Sequence, residues 1–325
     1  MRALVCSELG PAERLSVREV PDPEPGPGEL VLDVRAAGLN FPDTLIIEGK
    51  YQFRPDLPFI PGGEASGVVS AVGREVRGVK VGDEVVAMAV SGAFAEKWAV
   101  DANTVMAKPP SLEHRVAAGF GLTYGTSYYA LQQRAKLQPG ETLLVLGAAG
   151  GVGSSAVDIG KAMGARVIAA ASTDEKLAYA AELGADEGVN YSNEDFRDRI
   201  RELTEGRGVD VVYDPVGGDL SEPALRSMAW NGRFLVIGFA AGSIPEIPLN
   251  LPLLKGVSVV GVFWGAWTKR DPAASAANFA ELFSMVESGA LHPQVAAVYP
   301  LDGYVEAFGA LTGRKARGKV VLEIA

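Results

Sequence analysis

The sequence predicts an α/β protein in two parts, a β-rich domain followed by a doubly wound parallel-sheet domain. Three observations predict it. The chain has 325 residues, beyond the size at which one hydrophobic core usually stops growing. Up to about residue 115 it reads as short strands punctuated by Gly and Pro, and beyond Pro110 strands alternate with helical stretches. Within that second part a glycine-rich run, Gly147-Ala-Ala-Gly-Gly-Val-Gly153, separates an apolar strand from a helical pattern.

In the first part the strand candidates are 2–6, 15–20, 29–36, 66–72, 84–89 and 94–100. Turns between them carry their own chemistry in Pro21-Asp-Pro-Glu-Pro-Gly-Pro-Gly28 and Val81-Gly-Asp83, where proline fixes φ and glycine permits φ above zero. The second part begins with helices around 115–118 and 125–133. Strands are then expected at 142–146, 166–171, 209–213, 233–238 and 257–262, most of them separated by helical segments, as a parallel sheet requires. An amphipathic helix at 273–287, another around 303–311 and a last strand at 319–324 form a tail too short to fold alone, which must pack back on something.

Hydrophobic residues at 48% and charged residues at 22% are ordinary for a globular protein folded nearly end to end. The net charge of -10 repels phosphate backbones and anionic membrane surfaces, which argues against nucleic acid or a membrane as partner. A single cysteine, Cys6, excludes an intramolecular disulfide and fits a reducing compartment. With neither a secretory pattern at the start nor a long apolar run, a cytoplasmic protein is expected.

The segment 142–146, the glycine run and the helical pattern through Met163 follow the strand, turn, helix order of a dinucleotide-binding unit. Gly150 lets backbone approach a pyrophosphate, Gly153 lets the helix pack closely on the strand, and amides at the helix start face the anion. The run departs from the strict pattern because Ala148 takes the first glycine's place, and on spacing alone an ordinary strand-to-helix turn stays open. Downstream, the second strand ends in Ala169-Ala-Ala-Ser-Thr173. Small neutral side chains there leave space for a ribose 2′-phosphate and Lys176 supplies charge to it, which favours NADPH over NADH. The alternative is that Asp174 and Glu175 meet the ribose; both are also ordinary acids for a helix's first turn.

Zinc dehydrogenases need His, Cys and carboxylate ligands brought together. Here the histidines are two, His114 and His292, in unrelated contexts, and both are read as structural. The same scarcity argues against Cys/His or Ser/His nucleophilic catalysis.

With the glycine turn and the missing ligands together, the chain resembles the zinc-free NADPH:quinone oxidoreductase branch of the medium-chain dehydrogenase/reductase superfamily, essentially from end to end. In the zinc members a ligand cysteine follows a Gly-x pair, where Asn40 follows Gly38-Leu39 here, and a Gly-His-Glu stands where this chain has Gly62-Gly63-Glu64. Other segments similar to the branch are Gly38-Leu-Asn-Phe-Pro-Asp43, Gly121-Leu-Thr-Tyr-Gly125, Val211-Val-Tyr-Asp-Pro-Val-Gly217 and Gly318-Lys-Val-Val-Leu322.

The resemblance implies a GroES-like catalytic domain over 1–118 and 262–325 and a Rossmann NADP-binding domain over 119–261, with nicotinamide and substrate in the cleft between them. It places Asn40, Thr123 and Thr126 near the nicotinamide half and Gly150, Gly151, Val152 and Gly153 at the pyrophosphate. Ser172, Lys176, Tyr191 and Arg314 surround the 2′-phosphate, and Phe239, Ala240, Phe263, Trp264 and Gly265 line the rest of the channel. Hydride passes to a small quinone or enone, with Asn40, Asp43 and Tyr51 as catalytic candidates; Asp43 has a competing reading as the cap of a helix after Pro42. Leu45 departs from well-known bacterial members, which carry a tyrosine there. Relatives pair an edge equivalent to 258–263 across a two-fold, which implies a homodimer. The competing functions are an enoyl or acryloyl thioester reductase, for which Lys50, Arg54 and Lys269 are the candidate phosphate contacts, and a catalytically idle NADPH-binding protein.

Overall fold

The computed structural model describes residues 1–313 and 316–325. They form two compact units, one of residues 1–122 with 294–325 and one of residues 123–293.

The first unit starts with β1 (Arg2–Val5) and β2 (Ser16–Glu19), an antiparallel pair. The long strand β3 (Glu29–Leu39) follows and runs straight into helix α1 (Phe41–Ile47). Next come β4 (Glu64–Val72), β5 (Glu84–Met88), β6 (Lys97–Asp101), β7 (Val105–Ala107) and helix α2 (His114–Ala118). The three-residue β7 is absent from the sequence reading because so short a run carries no alternation. Strand β3 is buried along most of both faces, since β4 and β6 pair with it and its apolar residues join Leu4, Phe94 and Trp98 in the core.

Helix α3 (Phe120–Tyr128) carries the chain into the second unit and continues as a π-helical turn, Tyr129–Ala135. There follow β8 (Thr142–Leu146), α4 (Gly151–Ala162), β9 (Arg166–Ala171), α5 (Asp174–Glu182), β10 (Glu187–Asn190) and α6 (Phe196–Leu203). The second half runs β11 (Val209–Asp214), α7 (Ser221–Arg226), β12 (Met228–Val236), α8 (Asn250–Lys255), β13 (Ser258–Gly261), α9 (Trp264–Arg270) and α10 (Pro272–Glu287). Its six strands lie in the order β10-β9-β8-β11-β12-β13, all parallel. The order reverses beside β8, whose five residues are all buried, so the switch point falls at the glycine turn. The sequence reading has five of these strands; β10, with the sequence Glu-Gly-Val-Asn, offers one β-branched residue and no alternation.

The chain then returns to the first unit with β14 (Val295–Pro300), α11 (Tyr304–Thr312) and β15 (Lys319–Glu323). β15 pairs antiparallel with β3, and β14 lies parallel on its outer side, completing a seven-stranded sheet. The sequence reading places the second domain boundary at 261/262, whereas the units divide at 293/294. The difference comes from α9 and α10. Phe279 of α10 meets Trp264 of α9 edge-on at 6.3 Å, and Gln133 Nε2 donates to Asn278 Oδ1 at 2.6 Å, tying both helices to the second unit. Among the described residues, no helix is long and apolar enough to cross a membrane.

Candidate active site

In the first unit three strand ends converge. Register places Ala37 opposite Ala65 and Leu39 opposite Val320, so Asn40, Glu64 and Lys319 come together at one end of the sheet. Glu64 is 0% exposed and Lys319 5%. Lys319 Nζ donates to Glu64 Oε1 at 2.6 Å and to Asn40 Oδ1 at 2.5 Å, and Asn40 Nδ2 donates to Glu64 Oε1 at 2.7 Å. Glu64 Oε2 accepts from the Leu122 amide at 2.8 Å. A glycine at 38 is required by this packing, because a Cβ there would stand 2.4 Å from the Ala118 carbonyl oxygen and 2.7 Å from Glu64 Oε1.

Asn40 also starts α1. Asp43, three residues on, accepts from the Asn40 amide through Oδ2 at 2.7 Å, closing the first turn of a helix that has Pro42 at its second position. Full burial pushes the Asp43 carboxyl up to about 7, against the opposing pull of that amide and of Lys319. Tyr51 is half-buried, and burial followed by the charge of Asp43 raises its phenol. The cap reading of Asp43 thus describes what its Oδ2 does.

These donors do not fit a zinc ion. The oxygens of Asn40 and Glu64 that face one another are already committed to an ammonium, itself a cation. Among the described residues no group of three His, Cys, Asp or Glu side chains is placed to hold a metal. The histidines have other work. His114 Nδ1 lies 2.8 Å from Ser66 Oγ, which is also 2.9 Å from the Val85 carbonyl oxygen, and His114 Nε2 lies 3.5 Å from Glu84 Oε1. His292 donates its backbone amide to Asp158 Oδ2 at 2.9 Å, the same oxygen that accepts from Tyr124 Oη at 2.7 Å.

The second unit supplies the dinucleotide turn. Gly150 caps α4, and the first amides of any α-helix, here those of 151–153, lack an intrahelical acceptor. At Gly153 a Cβ would stand 2.2 Å from the Gly147 carbonyl oxygen; only glycine lets the helix approach the turn this closely. Behind α4, Ser155 Oγ donates to the Thr123 carbonyl at 3.0 Å. Thr123 and Thr126 are both buried on α3.

At the next strand end, Lys176 Nζ donates to Ser172 Oγ at 3.1 Å, and Tyr191 donates its amide to the Ala171 carbonyl at 3.1 Å. Ser172, Lys176 and Tyr191 therefore share one rim. Asp174, the competing acid, accepts from Asn190 Nδ2 at 2.6 Å. Arg314 lies outside the described residues.

Further along, Asp214 Oδ1 accepts from the amides of Val216 and Gly217, both at 2.8 Å, and Oδ2 from Ser221 Oγ at 2.6 Å. That carboxylate shapes the turn against which the exposed Phe239 and Ala240 lie, the latter through its amide to the Pro215 carbonyl at 3.1 Å. Phe263 is 63% exposed and Gly265 also faces solvent. Trp264 is half-buried and packs on Gly125 and Phe279. Trp267 likewise stacks on Tyr129 at 4.3 Å.

Glu64, Lys319, Asn190 and Asp214 are absent from the expected site. A lysine directly before the apolar run 320–322 is the signal that Lys319 offers.

A family model described as zinc-binding dehydrogenase matches residues 151–282, and one described as alcohol dehydrogenase GroES-like domain matches residues 26–110. Quinone oxidoreductase-like protein 2 of Rattus norvegicus is 40% identical over 324 residues, spanning 99% of this chain and 92% of its own length. Among solved structures, the quinone oxidoreductase of Escherichia coli complexed with NADPH superimposes with a TM-score of 0.93 at 32% identity, covering 100% of both chains. A mycobacterial protein complexed with NADPH gives 0.93 at 34% identity, again over 100% of both.

Proposed function

The chain belongs to the quinone oxidoreductase-like branch of the medium-chain dehydrogenase/reductase superfamily, and on that premise we propose that it is a zinc-independent reductase, transferring hydride from NADPH to quinones or related electron-poor carbonyl and alkene acceptors. The observation that carries this reading is the rim formed by Ser172, Lys176 and Tyr191 beside a glycine turn that opens helix α4. NADPH, when bound, supplies a hydride from its nicotinamide. The amides of 151–153 would hold the pyrophosphate, and Lys176 with Ser172 and Tyr191 would hold the 2′-phosphate. In the same unit Thr123 and Thr126 would orient the nicotinamide end. In the first unit the lock of Lys319 and Glu64 keeps the Asn40 carboxamide in one rotamer. Asp43 fixes the start of α1, which leaves Tyr51 or water to deliver the proton that accompanies the hydride.

Zinc independence is supported by the ammonium of Lys319 between Asn40 and Glu64. A homodimer is supported by the free edge of β13, where Val259 is 50% exposed, and by Leu253 and Leu254 exposed on α8. The single, buried Cys6 fits a reducing, cytoplasmic setting.

The test is an acceptor panel run with NADPH and with NADH: simple quinones, α,β-unsaturated ketones and acyl-CoA esters. Turnover of quinones or enones with NADPH is expected. Turnover of acyl-CoA esters alone moves the assignment to a thioester reductase, and NADPH binding without turnover of any acceptor makes the protein an idle binder.

A further inference from the structure

The end of the second strand of a dinucleotide-binding sheet is where an acid commonly accepts from the ribose 2′-hydroxyl of NADH. This chain has such an acid, Asp174, in the first turn of α5. Left free, its carboxylate would both attract a hydroxyl and repel a phosphate. The neighbouring strand prevents it. Register pairs Asn190 at the end of β10 with Ala171 at the end of β9, and Asn190 Nδ2 donates to Asp174 Oδ1 at 2.6 Å. The orientation of that amide is fixed from the other side, because its Oδ1 accepts from the Ser192 amide at 3.2 Å. The backbone amide of Asn190 donates to Glu194 Oε2, also at 3.2 Å. With Asn190 only 4% exposed, releasing Asp174 would leave a buried donor without a partner, a costly exchange.

We propose that Asn190 is a specificity-determining residue: its hydrogen bond draws the Asp174 carboxylate toward β10, so that less of its charge opposes a phosphate held by Lys176 and Ser172. The inference rests on the NADPH reading above and deepens it. Discrimination against NADH is set partly by a residue that touches neither cofactor and acts by retiring a nearby acid.

The experiment measures dissociation constants of NADPH and NADH by fluorescence titration in the wild type, Asn190→Ala, Asp174→Asn and the double variant. Using the ratio of the two constants on the same protein cancels general losses of folded material. Asn190→Ala is expected to lower the preference for NADPH by about tenfold or more, a shift of ~1.4 kcal/mol. Adding Asp174→Asn to that variant is expected to restore most of it, a coupling that a merely structural role would not produce. Where Ala impairs folding, Asn190→Ser, which keeps an oxygen for Ser192, replaces it with the same expectation. A wild-type preference that Asn190→Ala leaves unchanged, or that falls and does not recover in the double variant, overturns the inference alone. A wild-type ratio near one removes the cofactor reading and the inference with it.

Discussion

In the first unit the polar site consists of side chains from positions 40, 43, 64 and 319, buried against one another with their hydrogen-bonding capacity largely spent internally. In the second unit the proposed recognition groups are backbone amides and side chains from successive strand ends, at 150–153, 172–176 and 190–191. One site is a closed cluster assembled from distant parts of the chain; the other is a more open rim whose members lie at neighbouring strand ends. The closed cluster should fail as a whole when one member is lost, while the open rim should lose affinity piece by piece.

The largest expected effect follows from breaking the cluster. Lys319→Met strands the Glu64 carboxylate in the interior and should cost roughly 3–5 kcal/mol of stability in denaturant unfolding. Adding Glu64→Gln should recover much of it, and independent, additive losses would show that the cluster is not closed.

Asp43 sharpens the same point through pH. Well below about pH 4 the carboxyl is protonated in both folded and unfolded chains. As pH rises toward the folded value of about 7, the unfolded chain ionises while the folded chain keeps its proton, so stability falls across that window. Asp43→Asn should flatten this slope, a difference on the order of a few kcal/mol between pH 4 and pH 7. An unchanged slope would remove Asp43 as its source.

The rim should respond more gently. Gly153→Ala puts a methyl against the Gly147 carbonyl oxygen, and should cost about 1–3 kcal/mol of stability along with NADPH affinity. An alanine variant that binds NADPH as the wild type does would contradict the close approach of α4. Smallest is Lys176→Ala, expected to weaken NADPH by about tenfold, or ~1.4 kcal/mol, with little effect on NADH. Equal losses for both cofactors would take this residue away from the 2′-phosphate.

The same contrast decides what could be read from the sequence. Strands β8 and β9 have the bounds that local pattern gives, because a buried parallel strand followed by a glycine turn is written in consecutive residues. The pairing of Lys319 with Glu64 spans 255 positions and has no local signature; only the antiparallel register of β15 on β3 creates it. Asn190 was hidden for a related reason, since its meaning depends on β10, a four-residue strand with little β propensity.

The central claim is a hydride-transferring reductase that works without zinc, its buried cation supplied by Lys319. The most direct measurement is the initial rate of NADPH oxidation with a simple quinone before and after exhaustive treatment with a metal chelator. The account predicts the same rate before and after, with NADPH the better donor. Loss of activity on chelation that returns when zinc is added back would contradict it.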